Sequence, residues 1–227
     1  IKEIVEISRN EKIDIAVDLK GFTKDNRFEL FIKRCAPIQI SYLGFPGTTG
    51  SNCIDYIVAD KIVIPDQNKK YYSENIIYLP NSYQVNDATL SISEKNFTRK
   101  EFGLPENSFV YSCFNNTYKI LPEMFYTWCK MLDKVKNSVL WLLADNDIAK
   151  TNLKKILVSK GIDQNRLIFA SRMKHSEHLA RLKLADLFLD TFPCNAHTTA
   201  SDSIRSCLPI ITLRGKSFAS RVTSSLL

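Results

Sequence analysis

The chain has 227 residues, of which 44% are hydrophobic and 24% charged, and this composition excludes a disordered or fibrous protein. Its net charge of +7 favours an anionic partner: nucleic acid, an acidic membrane surface or a phosphorylated small molecule. The lysines are scattered and form no block of five or six, so a solvated basic surface is the simpler explanation. No aromatic-rich strand motif or recognition helix supports nucleic-acid binding, which ranks last among the functions considered.

The cysteines and the apolar runs indicate a reducing, cytoplasmic location without a membrane anchor. None of the six cysteines forms a C-x-x-C pair, and most lie inside apolar runs, as reduced core residues do. No apolar stretch approaches the ~18 residues of a membrane span, and the opening residues do not resemble a signal peptide. Those residues have the pattern of an amphipathic helix already in progress, from which we expect the sequence to begin within a domain.

Short apolar runs alternate with helix-length segments, a pattern typical of parallel sheets covered by helices. In the first part, strands are predicted at residues 13–19, 38–43, 56–59 and 76–79, with a helix over 27–34 in the first crossover. The apolar periodicity then fades into polar sequence between residues 86 and 99. We take this polar segment as a domain boundary.

A second series of predicted strands follows the boundary, at residues 110–114, 139–143, 167–169, 187–189 and 210–212. Pro122 marks the first turn of a helix, and Gly161 caps the end of a helix over 150–160. Five strands with intervening helices predict a doubly wound domain. The sequence therefore predicts an α/β protein with two domains, 1–90 and 100–227, both incomplete.

In an open parallel sheet, ligands bind beyond the carboxyl ends of the strands, so the polar residues after each strand are the candidates. The sequence NAHTTASD lies where a strand of the second domain leads into a helix. Thr198 and Thr199 would present hydroxyls and backbone N–H groups at the positive end of this helix, which suits a pyrophosphate. Asp202, one turn further on, is a candidate acceptor for ribose hydroxyls. An N-cap that serves only its own helix explains the motif equally well.

Asn116 and Lys119 follow the first predicted strand of the same domain. A lysine in such a loop offers a point charge for a phosphate oxygen, and an asparagine can both donate and accept hydrogen bonds. An exposed loop lysine is the simpler explanation for Lys119 taken alone. The shared location at strand ends of one sheet favours convergence of Lys119 with residues 198–202.

All three histidines, His175, His178 and His197, follow predicted strands of the second domain, and a zinc site is the obvious alternative. No Asp, Glu or Cys stands at a recognised ligand spacing from them, and H-E-x-x-H is absent, so no metal is predicted. A ring that stacks on a base or bonds a phosphate is the favoured functional interpretation.

The loop YLGFPGTTG, residues 42–50, follows a predicted strand of the first domain. Its three glycines permit close backbone approach or a positive φ. It is not a P-loop, because no Lys-Ser or Lys-Thr follows at the required spacing. A plain Gly-Pro turn and a floor for a sugar both remain open.

Several motifs in register resemble a known family: APIQ, LGFPGTTG, FGLPENS, FNNTYKI, NSVLWLL, EHLAR, LADLFLDTFPCNAHTTASD and FASRV. They resemble the catalytic region of protein O-GlcNAc transferases, including bacterial relatives without the insert between the two lobes and SPINDLY-like relatives. The resemblance covers nearly the whole chain, in the order of the family.

This resemblance implies a GT-B fold of two Rossmann-like domains. It also implies metal-independent, inverting transfer of GlcNAc from UDP-GlcNAc to Ser or Thr of proteins, with no cofactor. Lys119 would neutralise the β-phosphate of the departing UDP. The donor contacts implied are Asn116 as a polar contact, His197, Thr198 and Thr199 at the pyrophosphate, Asp202 at the ribose, His178 with Arg181 at the uracil, and Leu43 and Gly44 beside the sugar.

Three departures from the family pattern qualify these roles. The active-site histidine of the family lies upstream of this chain, and the ribose-contacting lysine aligns with His175. The helical repeats that usually recruit protein substrates, expected upstream in the full-length protein, are absent, as is the end of the second lobe. We therefore expect these 227 residues alone to be inactive or unstable. Two alternatives stay open: a GDP-fucose donor, as in plant relatives, and a non-catalytic nucleotide-sugar-binding module.

Overall fold

The structure is a computed structural model that describes every residue from 1 to 227. Its strands are β1 (Ile15–Asp18), β2 (Ile38–Ser41), β3 (Tyr56–Ala59), β4 (Asn75–Tyr78), β5 (Phe109–Cys113), β6 (Ser138–Leu143), β7 (Leu167–Ala170), β8 (Leu187–Leu189) and β9 (Ile210–Ile211). Its helices are α1 (Lys2–Asn10), α2 (Glu29–Ile32), α3 (Pro122–Lys134), α4 (Asp147–Ser159), α5 (His175–Leu182), α6 (Thr198–Arg205) and α7 (Val222–Leu226). The chain forms two compact units: Ile1–Val85 with Lys216–Leu227, and Asn86–Gly215.

The first unit contains a four-stranded parallel sheet in the order β1-β2-β3-β4. One core cluster packs β3 against apolar residues from later in the chain: Ile57, Ala59, Val63, Ile64, Tyr83, Phe218 and Val222. The rings of Tyr83 and Phe218 meet edge to face, with centroids 4.9 Å apart. A second cluster joins α1 to α2 through Val5, Phe31, Cys35 and Ile54.

Asp60, which directly follows β3, attaches the last segment of the chain to the first unit. Its carboxylate is 1% exposed and accepts hydrogen bonds from the backbone N–H groups of Ile62 (2.7 Å), Val63 (3.0 Å) and Tyr83 (2.7 Å). It also accepts a bond from the Ser225 hydroxyl in α7, at 2.5 Å. The domain prediction placed residues 216–227 in the second domain, and the structure corrects this, because these residues complete the core of the first unit.

The second unit contains a five-stranded parallel sheet in the order β7-β6-β5-β8-β9. Numbered from the first strand of the unit, this order is 3-2-1-4-5, the arrangement of a Rossmann-type sheet. Successive strands are added on one side of β5 up to β7, and the chain then returns to add β8 on the other side. Ligands bind at the carboxyl ends of the two strands where the order reverses. The loops after β5 and β8 therefore lie where a ligand site is expected.

All nine predicted strands are present, with ends that differ by a few residues at most. Pro122 begins α3 as predicted, and Gly161 follows α4 with a φ of +74°, as a C-terminal cap requires. The predicted helix over 27–34 is shorter, because the chain leaves the helix at Lys33 and Arg34 has a left-handed φ of +55°. The helix predicted over 150–160 begins earlier, at Asp147, where the Asn146 side chain accepts the N–H groups of the first turn.

The helices are short, and α3 and α4 are the longest at 13 residues each. None of them combines the length and the apolar character that a bilayer-crossing segment needs.

Candidate functional site

Lys119 lies at the reversal point of the second sheet, in the 3₁₀ turn Thr117–Lys119 that follows β5. Its Nζ donates a hydrogen bond of 2.8 Å to the backbone carbonyl of Asn195, in the loop that follows β8. An ammonium group has three donors, so this bond fixes the cation and leaves two donors available. The two loops are thereby joined through a cationic side chain.

Asn115, in the loop after β5, also bonds the loop after β8 and the start of α6. Its side chain is 3% exposed, and its Nδ2 donates to Thr191 Oγ1 at 2.8 Å. Its Oδ1 accepts the hydroxyl of Thr199, in the first turn of α6. The Thr191 hydroxyl in turn donates to the carbonyl of Cys194 at 2.6 Å. The start of α6 is therefore bonded directly to the end of β5.

Asp190 fixes the conformation of the loop between β8 and α6. Its Oδ1 accepts the N–H groups of Thr191 (2.8 Å) and Ala196 (2.6 Å), and its Oδ2 accepts the Thr212 hydroxyl at 2.6 Å. The Asn195 side chain is fully buried and donates from Nδ2 to the Thr191 carbonyl at 2.9 Å. With so many of its polar groups paired inside the protein, this loop is a preorganised corner.

His197 is the residue that leads into α6, and its ring lies in this corner. Its Nε2 is buried and has no hydrogen-bond partner within the chain. Burial, reinforced by the positive charge of Lys119, lowers the pKa of His197 to about 4, so the imidazole is neutral at physiological pH. A buried polar nitrogen without a partner is costly in a folded protein. This atom is therefore suited to bond a ligand.

The loops that carry Lys119 and Thr199 are bonded to each other, and the positive charge of Lys119 acts on His197. Thr198 is exposed on the first turn of α6, whose backbone N–H groups lie at the positive end of the helix dipole. A fixed ammonium, a neutral imidazole, hydroxyls and a helix N-terminus are the groups that bind phosphate oxygens.

Arg181 forms a buried wall beside this corner together with His178. Its guanidinium is 2% exposed, donates to His178 Nδ1 (3.0 Å) and to the Ser171 carbonyl (2.7 Å), and lies over the rings of Phe114 and Trp141. Burial lowers the pKa of Arg181 to about 10. Burial also lowers the pKa of His178 to about 4, and the positive charge of the nearby Arg181 adds to this effect. Because Nδ1 of the neutral His178 ring accepts the bond from Arg181, the ring proton is on Nε2.

Asp202 lies on the second turn of α6 and is paired with His175, the first residue of α5. His175 Nε2 and Asp202 Oδ1 are 3.0 Å apart. Burial raises the pKa of Asp202, although the hydrogen bond and the charge of His175 oppose this effect. The two residues that the sequence placed at a ribose contact are therefore in contact with each other.

Asn116 is exposed and donates from Nδ2 to the hydroxyl of Tyr118 at 3.2 Å. Together with Thr117, Tyr118, Leu143, Asp145 and Asn146, it lines a shallow depression beyond the ends of β5 and β6. Asn116 thus belongs to the same edge of the sheet as Lys119, on the side of β6.

Leu43 and Gly44 lie in the first unit, in the turn that follows β2. The Gly44 N–H bonds the Tyr42 carbonyl at 2.8 Å, and Leu43 has a φ of +69°, a strained conformation for a leucine. A Cβ on Gly44 would lie 2.0 Å from the carbonyl oxygen of Leu19, so only glycine fits here. Strain of this kind is concentrated at functional sites, and the role of this turn beside a sugar stays a prediction.

Glu74 fixes the rest of the same loop. Its carboxylate is 5% exposed and accepts the N–H of Thr49 at 2.6 Å, the hydroxyl of Thr49, and the hydroxyl of Thr48 at 2.7 Å. Burial by itself would raise the pKa of Glu74, but these hydrogen bonds outweigh it and lower the pKa below its usual value. The two threonines of GTTG thus donate hydrogen bonds to a buried carboxylate.

Four residues shape the corner without facing a ligand: Asn115, Asp190, Thr191 and Asn195. Asn115 and Asn195 stand in the polar runs that follow the predicted strands, but the sequence assigned no role to any of the four. They share one signal, because each is a buried polar residue in the loop after β5 or β8. Across the whole chain, no group of three or more His, Cys, Asp or Glu side chains is placed to hold a metal ion.

A Rossmann-type sheet with a fixed cation, an unpartnered imidazole and a helix N-terminus at its reversal point defines a class of α/β protein whose ligand site lies beyond the carboxyl ends of the strands. The family model described as "Glycosyl transferase family 41" matches residues 3–96 and 90–227, and the chain belongs to this family. The resemblance to O-GlcNAc transferases is thereby confirmed.

Relatives with known names agree with this assignment. The chain is 42% identical, over 98% of its length, to the probable UDP-N-acetylglucosamine–peptide N-acetylglucosaminyltransferase SEC of Arabidopsis thaliana, and covers 23% of that protein. It is 30% identical, over its full length, to the probable UDP-N-acetylglucosamine–peptide N-acetylglucosaminyltransferase SPINDLY of the same plant, and covers 25% of it. The chain thus spans about a quarter of the length of these curated relatives.

Among solved structures, a mutant O-GlcNAc transferase from Thermobaculum terrenum matches the whole chain with a TM-score of 0.87 and 30% identity. The chain covers 43% of that protein. The prediction of a GT-B type α/β fold is confirmed by this match and by the two parallel sheets.

Proposed function

We propose that the full-length protein transfers GlcNAc from UDP-GlcNAc to Ser or Thr hydroxyls of proteins, with inversion and without a metal ion. The observation that carries this proposal is the corner formed by Lys119, His197 and Thr199 at the reversal point of the second sheet. The names of the relatives, which describe peptide N-acetylglucosaminyltransferases that use UDP-N-acetylglucosamine, support the donor and the acceptor class.

Lys119 acts on the leaving group. In transfer from a nucleotide sugar, negative charge develops on the diphosphate as its bond to the sugar breaks. The Lys119 ammonium is held in place before the reaction by the Asn195 carbonyl, so it stabilises this charge without reorganisation. Thr198, Thr199 and the N–H groups of α6 hold the pyrophosphate, and His197 Nε2 supplies a further neutral donor. This set of fixed groups performs the role that a divalent cation has in other transferases.

The nucleoside lies against the other wall of the corner. The uracil packs on the His178 ring, which Arg181 orients, and Asp202 accepts a bond from the ribose. Asn116 provides a polar donor contact.

Further parts of the proposal concern the rest of the protein. We place helical repeats that recruit the protein acceptor upstream of this chain, as in the family that it resembles. We also propose a cytoplasmic location, which the six unpaired cysteines support, since free thiols persist in reducing compartments.

The experiment compares wild-type full-length protein with Lys119→Ala and with Lys136→Ala, an exposed lysine paired only with Asp133, as a matched control. Transfer of labelled GlcNAc to a Ser- and Thr-containing peptide is measured with EDTA present. We expect Lys119→Ala to lower kcat by roughly 10²–10³-fold and Lys136→Ala to leave it unchanged. Near-normal turnover of Lys119→Ala would remove its role at the leaving group.

A binding titration separates the donors. We expect UDP to bind the wild-type protein more tightly than GDP. Tighter binding of GDP, with transfer from GDP-fucose, would establish the fucosyltransferase instead. Tight binding of UDP-GlcNAc without transfer to any peptide would establish a non-catalytic binding module.

A further inference from the structure

The pairing of His175 with Asp202 joins two helices that both begin at the carboxyl edge of the second sheet. α5 follows β7 and α6 follows β8, and the two residues are 3.0 Å apart through His175 Nε2 and Asp202 Oδ1. The Asp202 side chain is 16% exposed, whereas that of His175 is 47% exposed. A mostly buried carboxylate is thus held by a ring at the surface of the site.

Only one of the two Asp202 oxygens is used within the chain. Oδ1 bonds His175, and Oδ2 makes no hydrogen bond to the protein. Arg205, on the same helix, directs its guanidinium to the backbone carbonyls of Asp87, Ala88 and Leu90 and forms no ion pair with Asp202. His175 is therefore the side chain that bonds this carboxylate directly.

The other charged residues of α5 and its N-terminal neighbour form no ion pair with His175 or Asp202. On α5, Lys174 precedes His175 and is exposed, Glu177 faces Lys95 at 3.8 Å, and Arg181 is committed to His178. The His175 and His178 rings are stacked, with centroids 6.4 Å apart and an interplanar angle of 27°. His175 thus lies between the ring assigned to the base and the carboxylate assigned to the sugar.

We infer that His175 is a positioning residue that orients Asp202, so that Oδ2 accepts a hydrogen bond from a ribose hydroxyl of the donor and makes the site select ribonucleotides over deoxyribonucleotides. This inference rests on the proposed function. A carboxylate bound at one oxygen by a fixed donor keeps its second oxygen in one direction. A bond from a hydroxyl to a charged acceptor is then formed without further loss of side-chain freedom.

The test measures binding of UDP, 2′-deoxy-UDP and 3′-deoxy-UDP to the full-length protein by calorimetry. The variants are His175→Ala, His175→Lys and Lys183→Ala, the last being an exposed residue at the end of α5 that serves as the control. His175 is itself largely exposed, and melting curves verify that each variant is folded. A comparison of nucleotides within one variant also cancels any general loss of stability.

We expect the wild-type protein to bind UDP roughly 10–100-fold more tightly than at least one deoxy analogue, the range for a hydrogen bond to a charged group. In His175→Ala this ratio falls toward one, because UDP binding weakens while binding of the analogue changes little. His175→Lys, which keeps a nitrogen donor at this position, restores most of the ratio. Lys183→Ala leaves it at the wild-type value.

Two results overturn the inference while the proposed function stands: a wild-type protein that binds UDP without discriminating against either analogue, or a His175→Ala variant that keeps the full ratio. An equal loss of affinity for all three nucleotides in His175→Ala assigns the residue a merely structural role and also overturns the inference. Failure of the wild-type protein to bind UDP at all overturns the proposed function and the inference together.

Discussion

Replacement of Asn115 by aspartate tests whether the corner depends on the direction of one buried hydrogen bond. The Thr191 hydroxyl has one proton, which it donates to the Cys194 carbonyl at 2.6 Å. It must therefore accept from Asn115 Nδ2, 2.8 Å away. In Asn115→Asp an oxygen replaces this nitrogen and faces a hydroxyl oxygen whose proton is already used.

The cost follows from the burial of the site. Asn115 is 3% exposed, so the variant loses one bond, leaves an acceptor unsatisfied and places a carboxylate in the interior. Together these effects amount to ~3–5 kcal/mol of unfolding free energy. Because Asn115 also bonds Thr199, we expect the start of α6 to shift and UDP binding to weaken as well.

The pH dependence identifies the mechanism. Burial raises the pKa of the introduced carboxyl above its unfolded value of about 3.9. The variant therefore loses stability relative to the wild type as pH rises from that value, by about 1.4 kcal/mol per pH unit up to the folded-state pKa. At low pH the protonated acid donates to Thr191 and restores the bond.

Urea denaturation at pH 4, 6 and 8 measures this effect, with the exposed Asn107→Asp as the matched control, for which we expect a change within about 0.5 kcal/mol. An Asn115→Asp variant as stable as the wild type at pH 8, or one whose deficit does not shrink on acidification, would refute the proton assignment.

Three further predictions concern the first unit. Glu74→Gln removes a buried carboxylate whose pKa is lowered. The wild type, but not the variant, should therefore lose stability as pH falls through the folded-state pKa. Equal acid denaturation curves for the two proteins would contradict this. Gly44→Ala forces a clash with the backbone and lowers the free energy of unfolding by ~3 kcal/mol. Gly50→Ala, at a φ of +63° in open space, lowers it by about 1 kcal/mol. Equal losses for the two variants in urea denaturation would be inconsistent with the described turn. Asp60→Ala leaves four donors without their acceptor and costs ~3–5 kcal/mol, so a thermal midpoint close to that of the wild type would exclude its role.

Local pattern was sufficient to predict most of the fold. Both sheets are parallel, and their central strands are short apolar runs such as residues 139–143 that stand out from the amphipathic helices between them. The position of Lys119 and Thr199 at strand ends followed from the same pattern, because all parallel strands of a sheet end at one edge.

Contacts distant in sequence could not be predicted in this way. The partner of Asp202 lies on a different helix, and the spacing along the chain does not indicate that His175 faces it, although the family resemblance placed both residues near the ribose. Likewise, Phe218 and Val222 are apolar residues at ordinary helical spacing, and composition does not reveal which of two cores they join. The domain prediction therefore followed chain order, and failed where the chain returns.

The return of Lys216–Leu227 to the first unit has a consequence for biosynthesis. A ribosome makes Ile1–Val85 first, but Phe218, Val222 and the Ser225 hydroxyl emerge only after all of Asn86–Gly215. The first unit therefore stays incomplete, with Asp60 and Tyr83 uncovered, until the second unit has been synthesised. The second unit is continuous in sequence and can fold during translation. Nascent chains stalled before residue 216 should expose this unfinished core to chaperones and proteases.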